Sequence, residues 1–191
     1  MFELFIAMIE KPLVTVITVC YNAVSLIEKT IRSVLAQQYE HIEYVVVDGG
    51  STDGTIEIIR KYEAHISHWI TEQDEGIYDA MNKGVAMATG EWCIFLNAGD
   101  TFAADDVLNR IFQVPREADV IYGDVVKNGT VKVAEPPHNS HRMYFCHQSC
   151  LTRTACLRTF PYDTSHRMSA DFKLYKLLWK KHYRFLQLPF A

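Results

Sequence analysis

Residues 43–55 read EYVVVDGGSTDGT, an unbroken apolar run that stops on Asp48, followed by a loop of small polar residues carrying a second acid, Asp53. Residues 92–100, WCIFLNAGD, repeat the arrangement and end on Asn97 and Asp100. A strand that is apolar throughout, with no alternation, must be covered on both faces, which is the situation of a parallel sheet between helices. In such open α/β sheets, ligands bind beyond the C-terminal ends of the strands. Two strands that each deliver acids at that end therefore predict a ligand site there.

The rest of the chain fits this frame. Residues 13–19, LVTVITV, are β-branched and continuous and read as a first buried strand. Ser25 and Glu28 match a capping box before a helix with Ile27, Ile31, Val34 and Leu35 as its apolar stripe. A helix is predicted over 55–64, a short strand over 66–71, a helix over 76–88 stopped by Gly90, and a strand over 92–96. This β-α-β-α-β-α-β order predicts a parallel sheet flanked by helices. Beyond it the pattern changes. Residues 119–125 and 130–134 flank Asn128-Gly129, a hairpin signal. Residues 135–141 are polar and proline-bearing and read as a loop, and residues 146–152 as another strand. Ser169 is placed to cap a last helix with Phe172, Tyr175, Leu178 and Trp179 on its buried face.

A chain of 191 residues with no clear linker is read as one domain with two halves, residues 12–101 and 102–191. Its net charge of −4 opposes non-specific nucleic-acid binding. No apolar run approaches the roughly 20 residues that span a bilayer. The opening MFELFIAMIEKP lacks the basic region and cleavage site of a signal peptide and reads as a leader strand or packing segment. Five cysteines without C-x-x-C spacing, two of them in strand-like runs (Cys20, Cys93), suit a reducing, cytoplasmic setting. The ending RFLQLPFA breaks off within a strand-like run, as expected for a piece of a longer protein.

Several nucleotide chemistries are excluded by what is missing. The turn after the first strand, Cys20-Tyr21-Asn22-Ala23, has no glycine, against a G-x-G-x-x-G dinucleotide fingerprint. No P-loop is present, and Gly50 stands where a D-x-D-x-T phosphatase needs its second acid. A nucleotidyltransferase would carry a glycine-rich basic loop where residues 23–26 offer none. What remains is a nucleotide site without a glycine cradle. In it Asp48 accepts hydrogen bonds from a base or ribose, and Asp100 holds a hard cation, Mg²⁺ or Mn²⁺, that bridges a diphosphate.

At these residues the chain resembles the family 2 glycosyltransferases of GT-A fold. The resemblance rests on VTVITVCYNAVSLIEKTIRSVLAQQYEHIEYVVVDGGSTDGT, on LNAGD at the place of a D-x-D-type motif, and on DEGIYDAMNKGVAMATGEW, found in members acting in bacterial exopolysaccharide, capsule or lipopolysaccharide assembly, colanic-acid-type transferases among them. It implies an inverting, metal-dependent transfer from a nucleotide-diphospho-sugar, a UDP-sugar by preference, to a saccharide or lipid-linked acceptor. By position it implies that Thr18, Tyr21 and Asn22 line the nucleotide, that Asp48 meets a uracil-like edge, and that Asp53 shapes the same pocket. It places Asp100 on the metal with Asn97 and Gly99 at motif positions where relatives carry acids. Asn82 is assigned to the nucleotide, with Met81 where relatives carry an arginine and Lys83 or Asp79 as substitutes. Asp171 is the general base, with His147 and Gln148 in support.

Simpler roles compete. Asp48, Asp53 and Asp100 could each cap a turn or helix, Asp100 ahead of a helix over 103–114, and an acid in a helix's first turn, such as Asp171, is favoured by the macrodipole alone. His141, Cys146, His147 and Cys150 do not have zinc-site spacing. Lys173, Lys176, Lys180, Lys181 and Arg184 form a basic surface that is either solvated or turned to anionic lipid as a peripheral membrane contact. A non-catalytic nucleotide-sugar-binding module is the rival to an enzyme.

Overall fold

The structure is a computed structural model and describes residues 11–113, 117–136, 145–166 and 168–190. Most of the opening segment, most of the 135–141 loop, and His141 lie outside them. In chain order the elements are β1 Val14–Cys20, α1 Ile27–Leu35, β2 Ile42–Asp48, α2 Thr55–Lys61, β3 His68–Thr71, α3 Ile77–Met87, β4 Trp92–Phe95 and α4 Val107–Ile111. There follow β5 Val120–Tyr122, β6 Val125–Lys127, β7 Thr130–Lys132, β8 Cys150–Arg153, α5 Thr154–Thr159, α6 Ala170–Lys180 and β9 Phe185–Gln187.

Seven strands form one sheet in the order β3-β2-β1-β4-β8-β5-β9. The β3-β2-β1-β4 block is parallel, β8 runs antiparallel to both β4 and β5, and β9 is parallel to β5. The mostly parallel sheet expected from the sequence is therefore present, with one reversed strand. Period-2 geometry sends alternate side chains of the buried strands to opposite faces. Ile17, Val45, Val47 and Phe95 pack with α3, α5 and α6 on one side, while Val16, Val46 and Ile94 pack with α1, α2 and α4 on the other.

The apolar pattern located the core, and polar detail changed the element ends. No capping box forms at α1: its N-cap is Leu26, and Glu28 instead joins Arg32, Lys61 and the Tyr62 hydroxyl. Leu35 is exposed, and Thr30 takes the fourth buried place. α2 gives way to a 3₁₀ turn at Glu63–His65. The run 119–125 is broken at Gly123-Asp124, so β5 lies in the main sheet and β6 pairs with β7 alone, around Asn128 and Gly129 at φ 52° and 73°. Residues 147–149 form a 3₁₀ turn before β8. The helix foreseen over 103–114 is only α4, with Asp106 rather than Asp100 before it. Ser169 makes no side-chain cap, and α6 buries Ala170, Leu174, Tyr175 and Leu178 while Trp179 remains exposed.

One polar cluster locks the sheet at the end away from the acids. Glu43 is 6% exposed and accepts hydrogen bonds from Thr15 Oγ1, the Thr89 amide at 2.7 Å and Thr89 Oγ1 at 2.7 Å. It ties β1 and β2 to the α3–β4 connection. Glu43→Ala strands three donors in a buried setting, and a loss of about 3 kcal/mol in unfolding free energy is expected in urea titration. An unchanged midpoint would show that water replaces the carboxylate.

Candidate active site

Three parallel strand ends meet at one rim. The amide of Gly49 donates to Cys20 O at 2.9 Å, and the amide of Ala98 donates to Val19 O at 3.1 Å. The loop after β1 thus lies between the loop after β2 and the loop after β4.

Asp48 organises the first of these loops from within. It is fully buried. Its Oδ2 accepts from the Gly50 amide at 3.1 Å, the Ser51 amide at 2.9 Å and Thr71 Oγ1 at 2.7 Å, and its Oδ1 from Ser51 Oγ and the Cys20 thiol. Burial pushes its pKa up, but hydrogen bonds from Ser51, Thr71 and Cys20 outweigh burial, and the carboxyl titrates below its ordinary value. With both oxygens engaged and no exposed surface, Asp48 does not present itself to a nucleobase, which corrects the expected base contact.

Asp53 and Asn22 stitch the same loop to its neighbour. Asp53 accepts from the Thr55 amide and hydroxyl and from the Val24 amide at 3.0 Å. The Asn22 carbonyl accepts from the Thr52 amide at 2.9 Å, and the Asn22 amide donates to Ser51 Oγ at 2.8 Å. Asn22 holds φ 47°, a region asparagine tolerates better than most residues. Thr18 is buried against the Tyr44 hydroxyl and lies away from the rim. Tyr21, by contrast, is 65% exposed. It lines a cleft of about 650 Å³ with Gly49, Gly50, Gln73, Asp74 and Tyr78.

The α3 residues are also placed by contact rather than by motif. Asn82 is spent on the backbone of Tyr162, donating to its carbonyl at 2.8 Å and accepting from its amide at 2.9 Å. Met81 is fully buried. Lys83 reaches Glu72 at 2.9 Å, Asp79 at 3.1 Å and the Gln73 carbonyl at 2.9 Å. Its charge is thus met by two carboxylates, and together with Asp79, which accepts from the Glu75 amide, it braces the β3–α3 loop. Neither Asn82 nor Lys83 is available as first expected.

The loop after β4 is held by α1. Thr30 Oγ1 donates to Asp100 O and accepts from the Gly99 amide, both at 2.8 Å. Gly99 sits at φ 106°, where a side chain is strained, which accounts for the glycine at that motif position. The carboxylate of Asp100 lines a second cleft of about 630 Å³ together with Gln148. The Oδ1 of Asn97 is buried with no hydrogen-bond partner among the described residues. A buried acceptor left bare is costly unless something binds it. Asp100 and Asn97 therefore offer hard oxygen donors of the type Mg²⁺ or Mn²⁺ prefers. Among the described residues no three His, Cys, Asp or Glu side chains cluster around a metal position, so a cation here would need oxygens from substrate.

Asp171 opens α6 and is 15% exposed. Its Oδ2 lies 2.9 Å from His147 Nδ1, and its Oδ1 accepts from the Tyr78 hydroxyl at 3.0 Å. Burial raises its pKa, the hydrogen bond and charge of His147 lower it further than that, and the net value lies below the ordinary carboxylate. Each oxygen keeps a lone pair for a substrate hydroxyl. With His147 donating from Nδ1, its Nε2 is buried and unpartnered. Burial raises the Cys146 thiol pKa, Asp100 and Asp171 add to the rise, and Lys127 and Lys132 oppose it. The sequence reading missed Tyr78, whose hydroxyl on α3 reaches the Asp171 carboxylate on α6 only through the tertiary fold.

The family described as Glycosyl transferase family 2 matches residues 15–177. A PGL/p-HBAD biosynthesis glycosyltransferase of Mycobacterium bovis (strain BCG) is 32% identical over 172 residues, 84% of this chain and 67% of the relative. Among solved structures, S. aureus TarS in complex with UDP superposes with a TM-score of 0.76 at 22% identity, covering 92% of this chain and 57% of that one. The mannosyltransferase PcManGT from Pyrobaculum calidifontis, in complex with GDP-Man and Mn²⁺, superposes at 0.74 and 22%, covering 94% and 55%. The chain thus spans little more than half of these two structures, and the likeness establishes the shared GT-A fold.

The internal use of Asp48 makes a distinct prediction. Asp48→Ala should cost about 3 kcal/mol of unfolding free energy, because buried donors lose their acceptor. Tyr21→Ala, at an exposed position, should stay within about 0.5 kcal/mol of wild type in the same titration. Equal effects would mean that the loop does not depend on Asp48.

Proposed function

The chain belongs to glycosyl transferase family 2, and on that premise we propose that it transfers a sugar, with inversion, from a nucleotide-diphospho-sugar to a saccharide or lipid-linked acceptor in the assembly of a bacterial surface polysaccharide. The observation that carries this reading is the Asp171 carboxylate, held in orientation by His147 and Tyr78 at the start of α6. UDP in TarS and GDP-Man in PcManGT support the donor class, and a UDP-sugar is the preferred reading.

In the proposed reaction Asp171 accepts the proton of an acceptor hydroxyl as that oxygen attacks the anomeric carbon. The bond from that carbon to the diphosphate breaks on the opposite side, and its electron pair leaves with the nucleoside diphosphate. A single in-line displacement inverts the configuration. Asp171 is ionised at neutral pH, as the role requires, and the interactions with His147 that lower its pKa favour orientation over base strength. His147 and Tyr78 fix its orientation, so the proton is taken at a defined place. Asp100 and the Asn97 carbonyl would hold a divalent cation with the diphosphate, where it would neutralise charge on the leaving group. The exposed Tyr21 ring offers a stacking face for the base.

Asp171→Asn should lower transfer at least 100-fold, the usual scale for a general base, while nucleotide binding measured calorimetrically is retained. Transfer at the wild-type rate would sink the assignment. His147→Ala removes a lowering influence and leaves burial, so the pKa of Asp171 should rise. Because the ionised form is required, the acidic limb of kcat/KM should move to higher pH. An unmoved limb would assign the base elsewhere. Asp100→Ala should abolish any Mn²⁺ dependence of nucleotide binding, and retention of that dependence would place the cation on other residues.

A further inference from the structure

Asp48 is consumed inside the loop, yet a carboxylate does stand at the end of β2. A Cβ built on Gly49 would lie 2.3 Å from Asp74 Oδ2 and 3.1 Å from its Cγ. Asp74, reaching across from the β3–α3 loop, thus fills the place that a side chain of residue 49 would take. Nothing about the sequence separation of the two residues suggests this, and Asp74 has no role in the reading above.

The carboxylate is presented rather than merely nearby. Its Oδ1 accepts the Gly76 amide at 2.9 Å, while its Oδ2 makes no hydrogen bond among the described residues. The loop that carries it is braced on both sides. The Glu72 amide donates to Asp48 O at 3.0 Å, and Lys83 gathers Glu72, Gln73 and Asp79. Tyr21, which lines the same cleft, has its Cβ 3.5 Å from that same point, so a flat ring entering beside Asp74 also meets an exposed aromatic face.

A carboxylate is an acceptor only, so it selects partners with an N–H. Uracil and guanine carry a ring N–H on the edge that pairs. Cytosine and adenine carry a bare ring nitrogen there, whose lone pair would face the carboxylate; their exocyclic amine can donate to it only with that repulsion alongside.

We propose that Asp74 is the base-reading residue of this site: its Oδ2 accepts the ring N–H of uracil or guanine beside Tyr21, and Gly49 is glycine because Asp74 occupies its side-chain space. This rests on the nucleotide-sugar reading above.

The test is calorimetric binding of UDP, GDP and CDP to wild type, Asp74→Asn, Asp74→Ala, and Asp74→Ala combined with Gly49→Asp. Asn retains an acceptor for the Gly76 amide, so its unfolding midpoint should match wild type. Wild type is expected to bind UDP or GDP at least about 10-fold tighter than CDP, the scale of a hydrogen bond to a charged group. Asp74→Ala should lose that preference through weaker UDP or GDP binding, and Asp74→Asn, which presents an N–H in place of Oδ2, should lose or reverse it in favour of CDP. Restoring an acid at position 49 should recover the preference, which a purely structural role for Asp74 would not do. Variants that keep the wild-type preference, or that weaken all three nucleotides equally, overturn the proposal and leave the glycosyltransferase reading standing. Failure of the wild type to bind any of the three overturns both.

Discussion

The buried carboxylate of Asp48 is the interaction on which the rim depends. Five donors converge on it from the ends of β1 and β3 and from the loop between β2 and α2. A buried charge is tolerated only when it is hydrogen-bonded on this scale. In return it fixes the loop backbone, and that backbone places Gly49 beside Asp74 and Ser51 under Asn22. A neutral group there could not hold five donors at once, so the geometry of the nucleotide side follows from a residue that no ligand needs to touch.

The acids along the chain consequently divide by their surroundings. Asp48, Asp53 and Asp79 are engaged by the protein's own amides, hydroxyls and a lysine. Asp74 and Asp100 keep free oxygens, and Asp171 keeps lone pairs beside two oriented partners. The first group sets positions and the second faces the clefts. The same division explains Lys83, which looks like a phosphate ligand in the sequence and is a brace in the fold. The basic helix α6 is partly neutralised too, since Lys173 pairs with Asp163 and Arg184 lies near Asp119.

The strands, their order of appearance and most of the buried face of α1 were legible because apolar periodicity reports burial directly. Asp171 was legible as an acid opening a helix, and Asp100 as an acid closing a strand. The caps at Ser25 and Ser169 were misread, because the local motif offers a hydrogen bond that the final backbone does not make. Trp179 was misplaced too: it stays exposed at the edge of α6, with its ring against Phe185 of β9.

Sequence alone determined that this chain builds a helix-covered, mostly parallel sheet with acids at its strand ends, since unbroken β-branched runs have no other way to be buried. Only the tertiary structure decided which acids are free. A carboxylate's availability depends on how many donors surround it, and those donors come from residues distant in the chain: Thr71 for Asp48, Tyr78 and His147 for Asp171, and, among the described residues, none for the Oδ2 of Asp74.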